Sequence, residues 1–212
     1  MTDDLIERLS RDLRPTPRRG VALRLGLAIA AGVVAASIGV AWLLGPRPDM
    51  AQALGSRMFW MKLAYTGAFA AVGLWGVERL ARPAGVAGRR LAWLWAPAIV
   101  VVLMAVAQIA RTPRTGLRHL FMGDSAVVCP WLIAATSTPL FIALIWAVRG
   151  LAPTRLRAAG ALAGLTAGGF GAMIYCLHCA EAGAPFVAIW YSMGIVIPCA
   201  LGALAGPRLL RW

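Results

Sequence analysis

Charge is scarce in this chain. Of its 212 residues, 14% are charged, against roughly 25% in a soluble globular domain. So few charges cannot cover a water-facing surface, which excludes a soluble fold of this size. Acids are scarcer still, 8 against 21 basic residues, and only one of the latter, Lys62, is a lysine. In a soluble protein a net charge of +13 would point to nucleic acid. In a chain that is 60% hydrophobic it points instead to membrane topology, because Lys and Arg gather in cytoplasmic loops. No direct nucleic-acid contact and no small-molecule substrate are expected. No cleavable signal peptide is expected. The first 19 residues are polar, and the first apolar run is too long for a signal core and has no good cleavage site.

What remains is apolar sequence in long runs. Six of them, at 23–44, 58–79, 91–110, 127–148, 158–179 and 185–206, approach the ~20 residues that a helix needs to cross a bilayer. The breakers fall between them: GPRPD at 45–49, ARPAG at 81–85, RTPRTG at 111–116 and GLAPTR at 150–155. The predicted fold is all-α, a polytopic membrane protein of six transmembrane helices with a short amphipathic N-terminal cytoplasmic helix. Residues 1–20 form the N-terminal segment and 21–212 the transmembrane domain. The segment up to Arg24, the loops around 79–90 and 149–157 and the C-terminal end carry 15 of the 21 basic residues. The other side carries Arg47, Arg57, Lys62, Arg111, Arg114 and Arg118. This bias predicts a multi-pass membrane protein with both termini in the cytoplasm.

The N-terminal segment MTDDLIERLSRDLRPTPRR reads as one short helix. Thr2 caps it, Asp3 and Asp4 suit its positive end, and Pro15 stops it. Leu5, Leu9 and Leu13, with Ile6 beside them, make an apolar stripe, and Arg8 lies among the polar positions. Such a helix either lies on the inner leaflet, docks into a groove of a soluble partner, or stays disordered. In the fifth run, Gly160, Gly164, Gly168 and Ala172 fall four apart, a spacing that lets helices approach closely inside the bundle or at a dimer face.

The chemistry-bearing stretch is MIYCLHCAE at 173–181. With the N-terminus inside, Cys129, Cys176 and Cys179 all fall near the outer interface, while Cys199 lies about 21 Å down the last run. The outer thiols could bridge, Cys129 to Cys176 or to Cys179, or stay reduced and bind a soft metal such as zinc or cadmium with His178 and Glu181. No cofactor is required. His119, in an outer loop near Asp124, is a weaker candidate.

Four stretches resemble the NrsF family of bacterial anti-sigma factors: LIERLSRDLRP (5–15), MGDSAVVCPWL (122–132), LHCAEAGAPFVAIWY (177–191) and GPRLLRW (206–212). The resemblance implies a regulator rather than an enzyme, one that sequesters an extracytoplasmic-function (ECF) sigma factor at the membrane. It implies that the N-terminal residues Leu5, Ile6, Arg8, Leu9 and Leu13 contact that sigma factor. It further implies that Cys129 and Cys179 serve in sensing, with Cys176 additional to the pair and His178 and Glu181 beside them as tuning groups or extra metal ligands. Two other classes compete with it. A quinone-linked thiol oxidoreductase relays electrons between two cysteine pairs, and only three thiols lie outside. A small transporter carries ionisable groups at mid-membrane, whereas here Glu78 and Gln108 lie near the ends of the runs.

Overall fold

The computed structural model describes residues 7, 19–82, 85, 88–211, and these are mostly helical, with no strand among them. Helix α1 (Arg19–Gly39) runs into a π turn at Val40–Leu44. A short helix α2 (Met50–Gly55) precedes α3 (Arg57–Leu80), whose first turn is capped by the Ser56 hydroxyl accepting from the Met58 amide at 3.2 Å. Then follow α4 (Trp95–Arg111), the short α5 (Leu117–Met122), α6 (Cys129–Arg149), α7 (Leu156–Tyr175) and α8 (Ala184–Leu209), which contains a π turn at Val187–Tyr191. The N-terminal residues Leu5, Ile6, Arg8, Leu9 and Leu13 lie outside the described residues.

Among the described residues, five helices are long and apolar enough to cross a membrane: 20–44, 92–111, α6, α7 and α8. The sixth expected span coincides with α3. At 24 residues it is about 36 Å long, more than a bilayer core. Its composition, with Lys62, Glu78 and Arg79, falls short of the others in apolar character. The helix ends otherwise match the apolar runs to within a few residues.

Helix α7 is the centre of the bundle. In its apolar stretch 78% of residues are buried, against 11% for the stretch spanning α4, which sits at the edge of the bundle. Glycine makes the central position workable. A side chain at Gly160 or Gly164 would collide with the Gly202 or Pro198 carbonyl of α8, so only glycine lets these backbones touch. Gly169 and Gly171, on other faces, meet α3 at Ala70 and α6 at Ser137 in the same way. The small-residue pattern is thus spent inside one bundle. The hydroxyls of Thr66, Thr136, Ser137 and Thr166 bond back to the carbonyl four residues earlier, which satisfies them without water.

The helix ends sort into two groups. At one end the Arg24 guanidinium packs on Gly150 and over the Trp146 ring at 5.1 Å. At the other, the 45–49 turn, the start of α6 and the α7–α8 connection converge. The cysteines lie in this second group.

Candidate functional site: a buried thiol cluster

The site forms where α7 stops. Regular helix ends at Tyr175, and one more turn carries the chain on: the Cys176 amide donates to Ala172, His178 to Tyr175, and Cys179 to Tyr175 at 3.0 Å. This turn points both Cys176 and Cys179 into the bundle, where they are 0% and 4% exposed. Cys129, the first residue of α6, is 0% exposed, and its thiol meets that of Cys179. Burial pushes the Cys176 thiol up to about 11. Cys179 moves the other way, below the usual thiol range, because the Cys129 thiol hydrogen-bonds to it and the Lys62 ammonium faces it.

Three residues outside the predicted set build the rest of the cluster. Lys62, on α3, is 1% exposed. Its Nζ donates to the carbonyls of Cys179 at 3.1 Å and Glu181 at 2.8 Å, and lies 5.0 Å from the centre of the Tyr191 ring. Tyr191, in the π turn of α8, is fully buried. Its hydroxyl lies beside the Cys176 and Cys179 thiols and meets no hydrogen-bonding nitrogen or oxygen among the described residues. Arg47 covers the cluster from the 45–49 turn. Its amide donates to the Leu177 carbonyl at 3.0 Å and its Nη1 to Cys179 at 3.3 Å. A bidentate pair with Asp49, at 2.7 and 2.6 Å, holds the guanidinium in place and keeps the Asp49 carboxyl below its ordinary range. Gly45, at φ 76°, makes the turn possible, since that left-handed backbone favours glycine.

His178 and Glu181 are placed as fasteners. The His178 Nδ1 lies 2.9 Å from the Gly45 carbonyl, joining the thiol turn to the 45–49 turn. The Glu181 Oε1 accepts from the Asp124 amide at 2.8 Å and the Ser125 hydroxyl at 3.2 Å, joining it to the segment that leads into Cys129. Gly123 is obligatory beside it, because its φ is 48° and any side chain there would strike the Glu181 carboxylate. With both groups so engaged, no group of three His, Cys, Asp or Glu among the described residues is gathered to hold a metal ion. His119 is exposed on α5, outside the cluster, and Cys199 is half-buried in α8, also outside it.

Sequence reasoning found the three thiols, His178 and Glu181 but missed Lys62, Arg47 and Tyr191. The solitary lysine inside an apolar run was the available signal for Lys62. Nothing in the sequence pairs Arg47 with the cysteines, since its bond to Cys179 spans 132 residues, and Tyr191 lies on a different helix from Cys176 and Cys179.

Fold and site together define a class: a polytopic helical membrane protein with a closed thiol cluster at one end of its bundle. Residues 9–212 match the family model NrsF, described as negative regulator of sigma F, and the chain belongs to this family. It is 39% identical over 211 residues to a protein of Azospira oryzae named probable anti-sigma-F factor NrsF, covering 100% of this chain and 99% of that one. It is 40% identical over 219 residues to the anti-sigma-F factor NrsF of Caulobacter vibrioides, with the same coverage. No solved structure matches the chain.

Proposed function

We propose that this protein is a membrane-bound anti-sigma factor, a regulator and not an enzyme. It holds an ECF-type sigma factor at the bacterial inner membrane through its cytoplasmic N-terminal segment, and releases it when the outer thiols react with an oxidant or a soft metal ion. The two relatives named anti-sigma-F factors support the class and the sigma-factor partner. One observation carries the sensing half: Cys129 and Cys179, 50 residues apart in sequence, meet thiol to thiol in a buried cluster. A two-electron oxidant takes two protons and two electrons from this pair and leaves a disulfide between α6 and the end of α7. A soft ion, with zinc or cadmium as the type, is taken by the same two sulfurs as thiolates. Either product ties together two helix ends that now meet only through non-covalent contacts.

Sidedness follows from charge. The end where Arg24 packs on Gly150 has Arg149, Arg155 and Arg157 near it in sequence, and the N-terminal basic cluster leads into it. Positive residues mark the cytoplasmic side, so the thiol end faces out and, with α3 as a sixth span, both termini face in. The apolar stripe Leu5, Leu9, Leu13 suits a groove in the partner, and the acids Asp3, Asp4, Glu7 and Asp12 speak against a helix dedicated to anionic lipid.

Co-purification of the full chain from its own host, with and without diamide or cadmium, tests the reading. A sigma factor should come with the resting protein and leave on treatment. Cys129→Ser and Cys179→Ser should retain it under treatment, and Leu9→Asp should weaken its binding at least tenfold, since burying a leucine is worth ~1.5–3 kcal/mol. Absence of any sigma factor refutes the class. Unchanged release from both serine variants refutes the thiol mechanism.

A further inference from the structure

Lys62 is the chain's single lysine and the most buried cation among the described residues. A buried ammonium is costly and normally sits against a carboxylate. Lys62 has no ion pair among the described residues. The nearest acids are committed elsewhere, Asp49 to Arg47 and the Glu181 carboxylate to Asp124 and Ser125. Two backbone carbonyls and one ring face satisfy it instead. Both carbonyls belong to the turn that carries Cys179. Beside Lys62 lies a cavity of about 20 Å³, lined with Arg47, Phe59 and Glu181, room for about one water molecule.

We infer that Lys62 is the positioning residue that couples the thiol turn to α3, so that a covalent change at Cys179 is felt by a helix running the length of the bundle. The inference rests on the sensing reading given above. Linking Cys129 to Cys179 repositions the Cys179 backbone, whose carbonyl is one of the two acceptors of Nζ. An ammonium left with one acceptor cannot stay where it is. It moves toward the cavity and water and takes its part of α3 along. Helix α3 ends at Leu80, next to Arg82 and the basic loop on the side assigned to the partner. The event at the outer end thereby reaches the other end along one continuous helix.

The uniqueness of the lysine supplies the assay. Apart from the N-terminus, Lys62 is the only primary amine in the chain, so its acylation can be read by peptide mass. The full-length protein in lipid nanodiscs with its partner is treated with an N-hydroxysuccinimide acetate before and after diamide. Diamide accepts the two electrons and two protons of the Cys129 and Cys179 thiols and leaves as the hydrazine. The expected result is slow acylation of Lys62 at rest and at least tenfold faster acylation after disulfide formation, with no such rise in Cys129→Ser. Equal rates before and after oxidation overturn the inference. In Lys62→Met the disulfide should still form while partner release falls at least tenfold. Release as in the parent also overturns it. The acylation measurement uses the parent chain and decides the matter if Lys62→Met does not reach the membrane. The two readings fail separately: release that ignores the cysteines sinks the sensing reading, whereas cysteine-dependent release with unchanged Lys62 acylation sinks only the coupling.

Discussion

Glu181 holds the two halves of the thiol pair together, and its removal has a calculable effect. The carboxylate accepts from the Asp124 amide and the Ser125 hydroxyl, four to five residues before Cys129, while its own backbone lies two residues after Cys179. A hydrogen bond to a charged group contributes about 1.5–3 kcal/mol when desolvated. Glu181 is only half-buried and the Asp124 amide is exposed, so both bonds together are taken at the lower end, about 2 kcal/mol. If that free energy serves to hold the Cys129 segment against the Cys179 turn, Glu181→Ala lowers the effective concentration of one thiol at the other by about thirtyfold, at 1.4 kcal/mol per factor of ten. Equilibration of the full-length protein with glutathione buffers, followed by alkylation and mass analysis of the Cys129–Cys179 disulfide, reads that ratio directly. Glu181→Gln keeps an acceptor oxygen without the charge and should fall between the two. A disulfide equilibrium unchanged in Glu181→Ala would refute the reasoning and leave the pairing to helix packing alone.

Gly164→Val places a side chain against the Pro198 carbonyl and should destabilise the bundle by about 1–3 kcal/mol, as overpacking does; Gly20→Ala, which meets nothing, should be neutral in the same thermal denaturation in detergent. The two neighbouring thiols should part company with pH. Cys179, held below the ordinary thiol range, should keep its iodoacetamide reactivity to lower pH than Cys176, which, raised to about 11, becomes reactive only as pH climbs toward that value. Equal pH profiles would show that Cys129 and Lys62 do not act on Cys179. Alkaline phosphatase fused after Trp212 should be inactive and fused at Ala182 active; the reverse pattern would place the thiols on the wrong side for sensing.

Composition and period alone determine much of this molecule. Runs of about twenty apolar residues leave a helix as the only way to satisfy the backbone in lipid, and the breakers at 45–49, 111–116 and 150–155 limit how far each can extend. That is why the helix ends were legible to within a few residues. The resemblance of short stretches such as LHCAEAGAPFVAIWY pointed to the family and to the cysteines. The run at 58–79 does form a helix, α3, but one less apolar than the five, in part because of Lys62, whose reason lies elsewhere in the chain. Tertiary structure alone decided which thiol Cys129 meets, since the turn after Tyr175 swings both Cys176 and Cys179 inward and helix spacing could not rank them. It also decided what His178 and Glu181 do: each is engaged by a segment more than fifty residues away, Gly45 in one case and Asp124 with Ser125 in the other. Lys62 marks the boundary most sharply. A lone cation in an apolar run says only that something must satisfy it. That its acceptors are the carbonyls of Cys179 and Glu181, 117 and 119 residues further on, follows from α7 packing against α3, and no local pattern records it.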